Sequence, residues 1–267
     1  MLITLLTDFG TADYFVGAMK GAILSINASV RLVDITHEIP PQDVEAGAFT
    51  LLAVYRDFPE GTIHLAVVDP GVGSSRRPLL VQTGGQFFIG PDNGLFSHVC
   101  EREGDARAFH LNRERYFRRS VSRTFHGRDI FAPVAAALSL GARPAELGEE
   151  IDDYVRLAPL APHILPGGEI EGRVIHIDRF GNCITNLTRD LLTEEMMAAG
   201  ARLSINGHTI TTFRRFFAEG EADNEEPFAI RGSAGFLEIA VNRASAAARL
   251  GIRRGQSLIV QAAQSKR

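Results

Sequence analysis

Nowhere in the 267 residues does an apolar run approach the roughly 20 that a membrane-spanning helix needs; 62–68 and 131–140 are the longest such stretches. No span is predicted. Neither a basic segment nor a small-residue cleavage site precedes the first strand-like run, so the expected location is the cytoplasm. Cys100 and Cys183 are the only cysteines; they match no metal-ligand spacing, and no disulfide is expected between them. Histidine pairs at helical spacing and carboxylate loops with ligand periodicity are missing, so no metal site is predicted. No glycine pattern of the Walker or dinucleotide kind follows the first strand, which removes a phosphate cradle. Chemistry without a cofactor is the expectation. Tryptophan is absent beside 17 phenylalanines, an imbalance that excludes no function. Positive charge is not in excess: 28 Lys and Arg against 32 Asp and Glu leave a net charge of −4. That balance argues against non-specific nucleic-acid binding, and the basic run at 113–123 reads as a solvated face. What is present is a chain 45% apolar, able to bury a substantial core and long enough for one large or two small domains.

Short apolar runs alternate with helical patterns from the N-terminus. Strands are predicted at 2–6, 30–35 and 62–68, with helical segments at 14–26 and 43–58 between them. This alternation is α/β wiring, and the near-continuous apolar run at 62–68 is of the buried, parallel type. Two runs, 78–82 and 86–89, flank Gly84-Gly85 and read as a hairpin. Between 157 and 172, Pro159, Pro162, Pro166 and Gly167-Gly168 act as breakers. The resulting division is an N-terminal α/β domain with a mainly parallel sheet over 1–158, a linker over 159–170 and a smaller β-rich domain over 171–267. In the latter, strands are predicted at 173–177, 202–205, 209–213, 236–241 and 257–261, and helices at 188–199 and 244–250.

In open α/β sheets ligands bind beyond the carboxyl ends of strands, so polar residues directly after apolar strands are the first candidates. Asp8 follows the first strand, with Asp13 one turn later; either they belong to a site or they cap the helix near Tyr14. Asp69 follows the run Leu65-Ala66-Val67-Val68 and precedes Pro70-Gly71-Val72-Gly73, a turn that exposes backbone amides and so suits an anion or nucleophile pocket. Arg76 lies where that turn can fold it back on Asp69, the alternative being a surface salt bridge, and Arg77 should then point elsewhere. His126, in Phe125-His126-Gly127-Arg128-Asp129, stands just before a predicted helix, as a site residue or a structural one. His64, His110 and His176 fall within strand-like runs, where structural roles are expected. Gly90-Pro91-Asp92-Asn93-Gly94 reads as a tight turn. In the second domain Asp178-Arg179-Phe180-Gly181-Asn182 gathers a carboxylate, an aromatic ring and an amide beside Cys183, read as a site-adjacent loop. Phe180 can stack on a flat ring and Asn182 offers a donor and an acceptor to the edge of a base. A turn shaped by Gly181 and Asn182 is the alternative.

Composition and spacing stop at an α/β enzyme with carboxylate, arginine and histidine at strand tips. The motifs go further. TDFG at 7–10 with Asp13 and Lys20-Gly21, DVEAGA from Asp43, VVDPGVGSSRR from Val67, GPDNGL from Gly90, FHGRDIFAP from Phe125 and IDRFGNCITNL from Ile177 together resemble the S-adenosylmethionine hydrolases, or hydroxide adenosyltransferases. These are related to the fluorinases and chlorinases. The resemblance covers nearly the whole chain in order. It implies cleavage of S-adenosyl-L-methionine to adenosine and L-methionine, and an N-terminal α/β domain followed by a C-terminal β-barrel-like domain. It also implies a homotrimer with the site between one subunit's N-domain and its neighbour's C-domain. Residue by residue it implies Asp69, Arg76 and His126 around the nucleophile, Asp8 on the ribose, Asp178 on the methionine amino group, Asn182 on adenine and Ser233 on the methionine carboxylate. Where the halogenases resemble Tyr-Pro-Ala-Thr-Gly, this chain has Asp69-Pro70-Gly71-Val72-Gly73. Gly127 stands in place of a halide-contacting serine, and Ala234 in place of an arginine. A halide beside Asp69 would meet like charge in a dry pocket, whereas a water would gain an acceptor for its proton.

Overall fold

The first apolar run becomes strand β1 (Leu2–Thr7), followed by helix α1 (Phe15–Leu24) and strand β2 (Arg31–Thr36). Helix α2 (Val44–Val54) starts where Asp43 accepts a hydrogen bond from the Ala46 amide, and strand β3 (Ile63–Val67) comes next. The expected hairpin forms from β4 (Pro78–Thr83) and β5 (Gln86–Pro91). Helix α3 (Ser97–Glu103), β6 (Arg107–Leu111), α4 (Ala132–Ser139), α5 (Pro144–Leu147) and β7 (Gly148–Ile151) complete this part. The computed structural model describes residues 1–219 and 226–262, and these first elements belong to one of two compact units, Met1–Pro159.

The sheet of this unit has the order β2-β1-β3-β5-β4-β6-β7. Strands β2, β1, β3 and β5 form its parallel part, and β4, β6 and β7 extend it by antiparallel pairing. Every residue of β3 is buried, as a strand covered on both faces requires. Leu5, Ile23, Leu65, Val67 and Phe131 meet in the core, each worth roughly 1.5–3 kcal/mol of burial. Strands β1 and β3 run parallel with Thr7 opposite Val67. Their carboxyl ends therefore deliver Asp8 and Asp69 to the same edge of the sheet.

His64 of β3 is fully buried. Thr4 Oγ1 lies 2.8 Å from Nδ1, Nε2 donates to Gln86 Oε1 at 3.0 Å, and the ring stacks on Phe88 at 4.9 Å. Burial pulls its pKa from 6.5 down to about 4. Between those values the unfolded chain takes a proton that the native ring refuses, so the stability His64 contributes is whole above pH 6.5 and is lost as pH falls towards 4. A displacement of that size corresponds to about 3 kcal/mol. NMR titration should find the ring neutral down to about pH 4, and unfolding free energies of His64→Gln should fall less steeply than wild type over that range. A ring titrating near 6.5 would refute this.

The second unit, Leu160–Arg267, is built mainly of strands. They are β8 (His163–Ile164), β9 (Ile170–Ile177), β10 (Cys183–Thr188), β11 (Arg202–Ile205), β12 (His208–Ile210), β13 (Phe213–Arg214), β14 (Phe228–Arg231), β15 (Phe236–Ala240) and β16 (Ser257–Gln261). Helices α6 (Glu194–Ala198) and α7 (Ala246–Leu250) are short. The strands make a nine-stranded sheet, order β12-β11-β16-β9-β10-β15-β14-β13 with β8 beside β9, curled as a half-barrel. Val174, Leu187, Leu203, Ile239 and Leu258 fill its concave core.

Four local expectations need correction here. The breaker-rich stretch is not loop throughout: Pro166 and Gly167-Gly168 shape a turn, and His163 and Ile164 pair with Glu171 and Ile170 across it. The strand expected at 209–213 is two, because β12 pairs antiparallel with β11 whereas β13 pairs parallel with β14. The helix expected at 188–199 is confined to α6, since Thr188 ends β10 and Thr193 caps the helix by accepting from the Met196 amide. Cys183 lies in β10 rather than a loop, opposite Ile177 and Ile239, where burial pushes its thiol up to about 11. Both cysteines are free. No helix among the described residues is long and apolar enough to cross a membrane.

Candidate active site

The end of β3 is held from the segment at 90–94. Asn93 Nδ2 donates to the Val68 carbonyl at 2.8 Å, one residue before Asp69. Asp92, nearly buried, accepts from Arg77 Nε at 2.9 Å and from the Val155 amide at 2.8 Å. What reads in sequence as a tight turn is thus also the brace of the strand tip. It draws Arg77 away, as expected, and Arg76 folds back instead. Arg76 Nε donates to Asp69 Oδ1 at 2.8 Å and Nη2 donates to Oδ2, a fork-on-fork pair. Nη2 also lies 3.0 Å from His126 Nδ1. The two side chains are 10% and 5% exposed, and the guanidinium sits 5.1 Å over the Phe131 ring. Nη1 is buried with no hydrogen-bond partner. Leaving a charged donor so is costly unless an oxygen comes to accept from it.

His126 is set by the chain after it. A π-helical turn, Gly127–Phe131, begins directly beyond His126, a device that often marks functional positions. Asp129 within it is fully buried and accepts from the Ser122 amide at 2.8 Å and from Arg128 Nε at 2.7 Å. Phe125 packs edge-on against Phe15 at 5.2 Å and Phe9 at 6.1 Å. Burial first, and the Arg76 charge second, hold the His126 imidazole below its usual range. With Nδ1 facing a donor, the neutral ring carries its proton on Nε2.

Asp8, at the tip of β1, accepts from the Gln42 amide at 2.7 Å. Tyr14 caps α1 without any side-chain cap bond, so neither Asp8 nor Asp13 serves as a helix cap. Asp13 is exposed and makes no hydrogen bond or ion pair among the described residues.

In the second unit, Asp178 Oδ1 accepts from the amides of Phe180 at 2.9 Å and Asn182 at 2.8 Å, and Oδ2 accepts from Asn182 Nδ2 at 2.9 Å. The carboxylate therefore builds the turn that carries the aromatic ring, which is 77% exposed. A cavity of about 510 Å³ opens beside it, lined by Phe180, Asn182, Phe217, Asn242, Arg243 and Ser245 among others. Its size is that of small-molecule sites. Phe217 and the 242–245 segment carry no motif and are invisible to spacing; the adjacent aromatic pair Phe216-Phe217 is the available signal in the sequence. Ser233 is exposed in the turn between β14 and β15. The structure thus gathers Asp69, Arg76 and His126 in one unit, and Asp178, Phe180 and Asn182 in the other.

Two matching families cover most of the chain: the SAM hydroxide adenosyltransferase N-terminal domain over residues 3–148 and the C-terminal domain of the same name over 172–259. An (R)-S-adenosyl-L-methionine hydrolase of Methanocaldococcus jannaschii is 44% identical over 197 residues, 72% of this chain and 69% of that protein. A protein of the same name from Thermus thermophilus is 39% identical over 257 residues, 94% and 95% of the two chains. An uncharacterized conserved protein from Thermotoga maritima has a similar solved structure, with a TM-score of 0.88 at 34% identity over 97% of this chain and 99% of that one.

Proposed function

The chain belongs to the SAM hydroxide adenosyltransferase family, and from that premise we propose that it hydrolyses S-adenosyl-L-methionine to adenosine and L-methionine through Asp69, Arg76 and His126. The observation that carries the residue assignment is the buried, unpartnered Arg76 Nη1 beside a carboxylate and a neutral imidazole. In the proposed step the water oxygen bonds to the ribose 5′ carbon while the C5′–S bond breaks and its electron pair goes to sulfur. The leaving group is a neutral thioether, so no acid is needed on that side. The difficulty lies with water as nucleophile, which needs a cation to favour its charged form and a base to take its proton. Arg76 Nη1 supplies the first. His126 Nδ1 is already turned to Arg76, which leaves Asp69 as the proton acceptor and His126 Nε2–H as a donor that orients the oxygen. Holding that oxygen in line about 3 to 3.5 Å from carbon accounts for on the order of 7 to 11 kcal/mol at best.

The same reading gives Asp8 the ribose hydroxyls, with Asp13 near that end of the substrate. Phe180, Phe217 and Asn182 take adenine in the cavity of the second unit, Asp178 takes the methionine amino group, and Ser233 its carboxylate. It further takes the working protein to be a cytoplasmic homotrimer in which two protomers serve one substrate, with no metal required because Arg76 provides the positive charge.

The test is incubation with each sulfonium epimer of S-adenosylmethionine, since the relatives' names specify the (R) form, in chloride and ¹⁸O-labelled water. Mass spectrometry should find label in adenosine. A chlorinated nucleoside, or binding without turnover of either epimer, rejects hydrolysis.

A further inference from the structure

Glu238 of β15 is a half-buried carboxyl that makes no hydrogen bond or ion pair among the described residues. Ladder register places it opposite Ile184 of β10 and Ile230 of β14. Two pairs further along β15 and β14, Ala240 and Phe228 are opposite, and Phe228 packs edge-on against the cavity residue Phe217 at 6.1 Å. The carboxyl lies against the turn that carries Ser233. A Cβ on Gly232 would collide with Glu238 Oε1 and stand 2.5 Å from its Cδ, so Gly232 is what lets the carboxyl approach the backbone there. The negative charge of Asp178 acts on it: Asp178 follows His176, which shares the cross-strand row of Glu238 through Ile184, by two positions, and Asn182, a wall of the cavity, donates to it at 2.9 Å. The track from the cavity wall to the Ser233 turn is linked by the Asn182–Asp178 hydrogen bond, the Asp178 charge on Glu238 and the close approach of Glu238 to Gly232.

We propose that Glu238 is a specificity-determining residue of this site: together with Asp178 it receives the α-ammonium at the amino-acid end of the ligand, and its carboxyl proton leaves to solvent as that cation arrives. The inference rests on the reading that the amino acid binds along this track. Two carboxylates whose charges act on each other in half-buried positions repel, which a cation between them relieves. In the free protein, burial first and the Asp178 charge second push the Glu238 carboxyl from 4.5 up to about 7, so near neutral pH it holds a proton about half the time. Other charged or titratable groups in its cross-strand row are His176 of β9, beyond Ile184, and Arg214 of β13, beyond Ile230. Arg214 lies over the Phe228 ring and donates to the Phe217 carbonyl. The turn at 232–235 contributes no charge.

The probe is S-adenosyl-L-homocysteine, which keeps the base, ribose and ammonium but lacks the sulfonium and so is not a substrate for this cleavage. Its dissociation constant, and that of adenosine, are measured by calorimetry at pH 6 and pH 7.5 on the full chain and on Glu238→Gln and His176→Asn. The α-ammonium of an amino acid titrates above about 8, higher than a peptide N-terminus, so it stays charged at pH 6, and any weakening there belongs to the protein. A carboxyl titrating near 7 that must ionise to bind weakens the complex about tenfold at pH 6. That weakening is expected in wild type and His176→Asn for S-adenosyl-L-homocysteine and not for adenosine. Glu238→Gln should bind the probe equally poorly at both pH values while holding adenosine as wild type does, which also shows the fold intact. A wild type indifferent to pH, a pH dependence kept by Glu238→Gln, or one lost in His176→Asn overturns the role of Glu238 while leaving the adenine reading standing. Failure of wild type to bind adenosine overturns that reading as well.

Discussion

Arg76→Ala is expected to cut single-turnover adenosine formation by about a hundredfold or more, the usual contribution of one preorganised charged donor. Three things go at once: the Nη1 donor, the fork on Asp69 and the contact to His126 Nδ1. Asp69, only 5% exposed, would be left as a buried charge without its partner. Arg76→Lys restores a charge but not the planar fork, so it should recover only part of the loss. Asp69→Asn keeps the shape and can still accept from Arg76, yet it cannot take a proton; a loss of about a hundredfold is expected here too. Groups that act as a unit do not lose rate additively, so Arg76→Ala with Asp69→Asn should be little slower than the worse single variant. Thermal unfolding of each variant separates lost chemistry from lost fold. Near-wild-type rates in both single variants would remove this group from the reaction.

How much of this was legible in the sequence depended on how local each cause is. The apolar strand ending at Val68 and the carboxylate after it are adjacent in the chain, and Asp69 could be singled out from spacing alone. Arg76 needed only the seven-residue turn to fold back, which glycines at 71 and 73 permit. The braces were hidden. Asn93 reaches the Val68 carbonyl from 25 residues away, and Asp92 ties Arg77 to the amide of Val155. Contacts of that span leave no periodicity, so Gly90 to Gly94 showed only its turn chemistry.

The Asp178 to Asn182 turn is visible as a mixed cluster, but its carboxylate both organises its own loop and carries a charge that acts on Glu238. Glu238 sits in an apolar strand pattern as one outward position among several, and only register puts it in one cross-strand row with His176, two residues before Asp178. Alternation alone cannot separate a solvated face from a binding face. Strand β13 escaped for a related reason: a change of pairing partner after Ile210 is decided by β14, which lies beyond it in the chain.

Gly73→Ala tests whether the two loops of the reactive group work as one body. Gly73 has φ +78, and a Cβ there would overlap the carbonyl oxygen of Arg123, with the carbonyl carbon at 3.2 Å. The obstacle is backbone, three residues before His126, so no side chain can swing aside and one loop must move. The left-handed conformation itself adds roughly 1–2 kcal/mol for alanine. For a unit of this size that lowers Tm by a few degrees without unfolding it. Turnover should suffer far more, because a displacement of about 1 Å in a positioned group costs on the order of a hundredfold. Adenosine affinity should not change if its cavity lies in the second unit. Gly71→Ala provides the contrast: its Cβ would meet Arg76 Cγ and Ser74 Oγ at 3.4 Å, ordinary contact at a φ that alanine adopts, and its turnover should stay within a few-fold of wild type. If Gly73→Ala turns over as fast as Gly71→Ala, His126 and Arg76 do not depend on that backbone contact for their alignment.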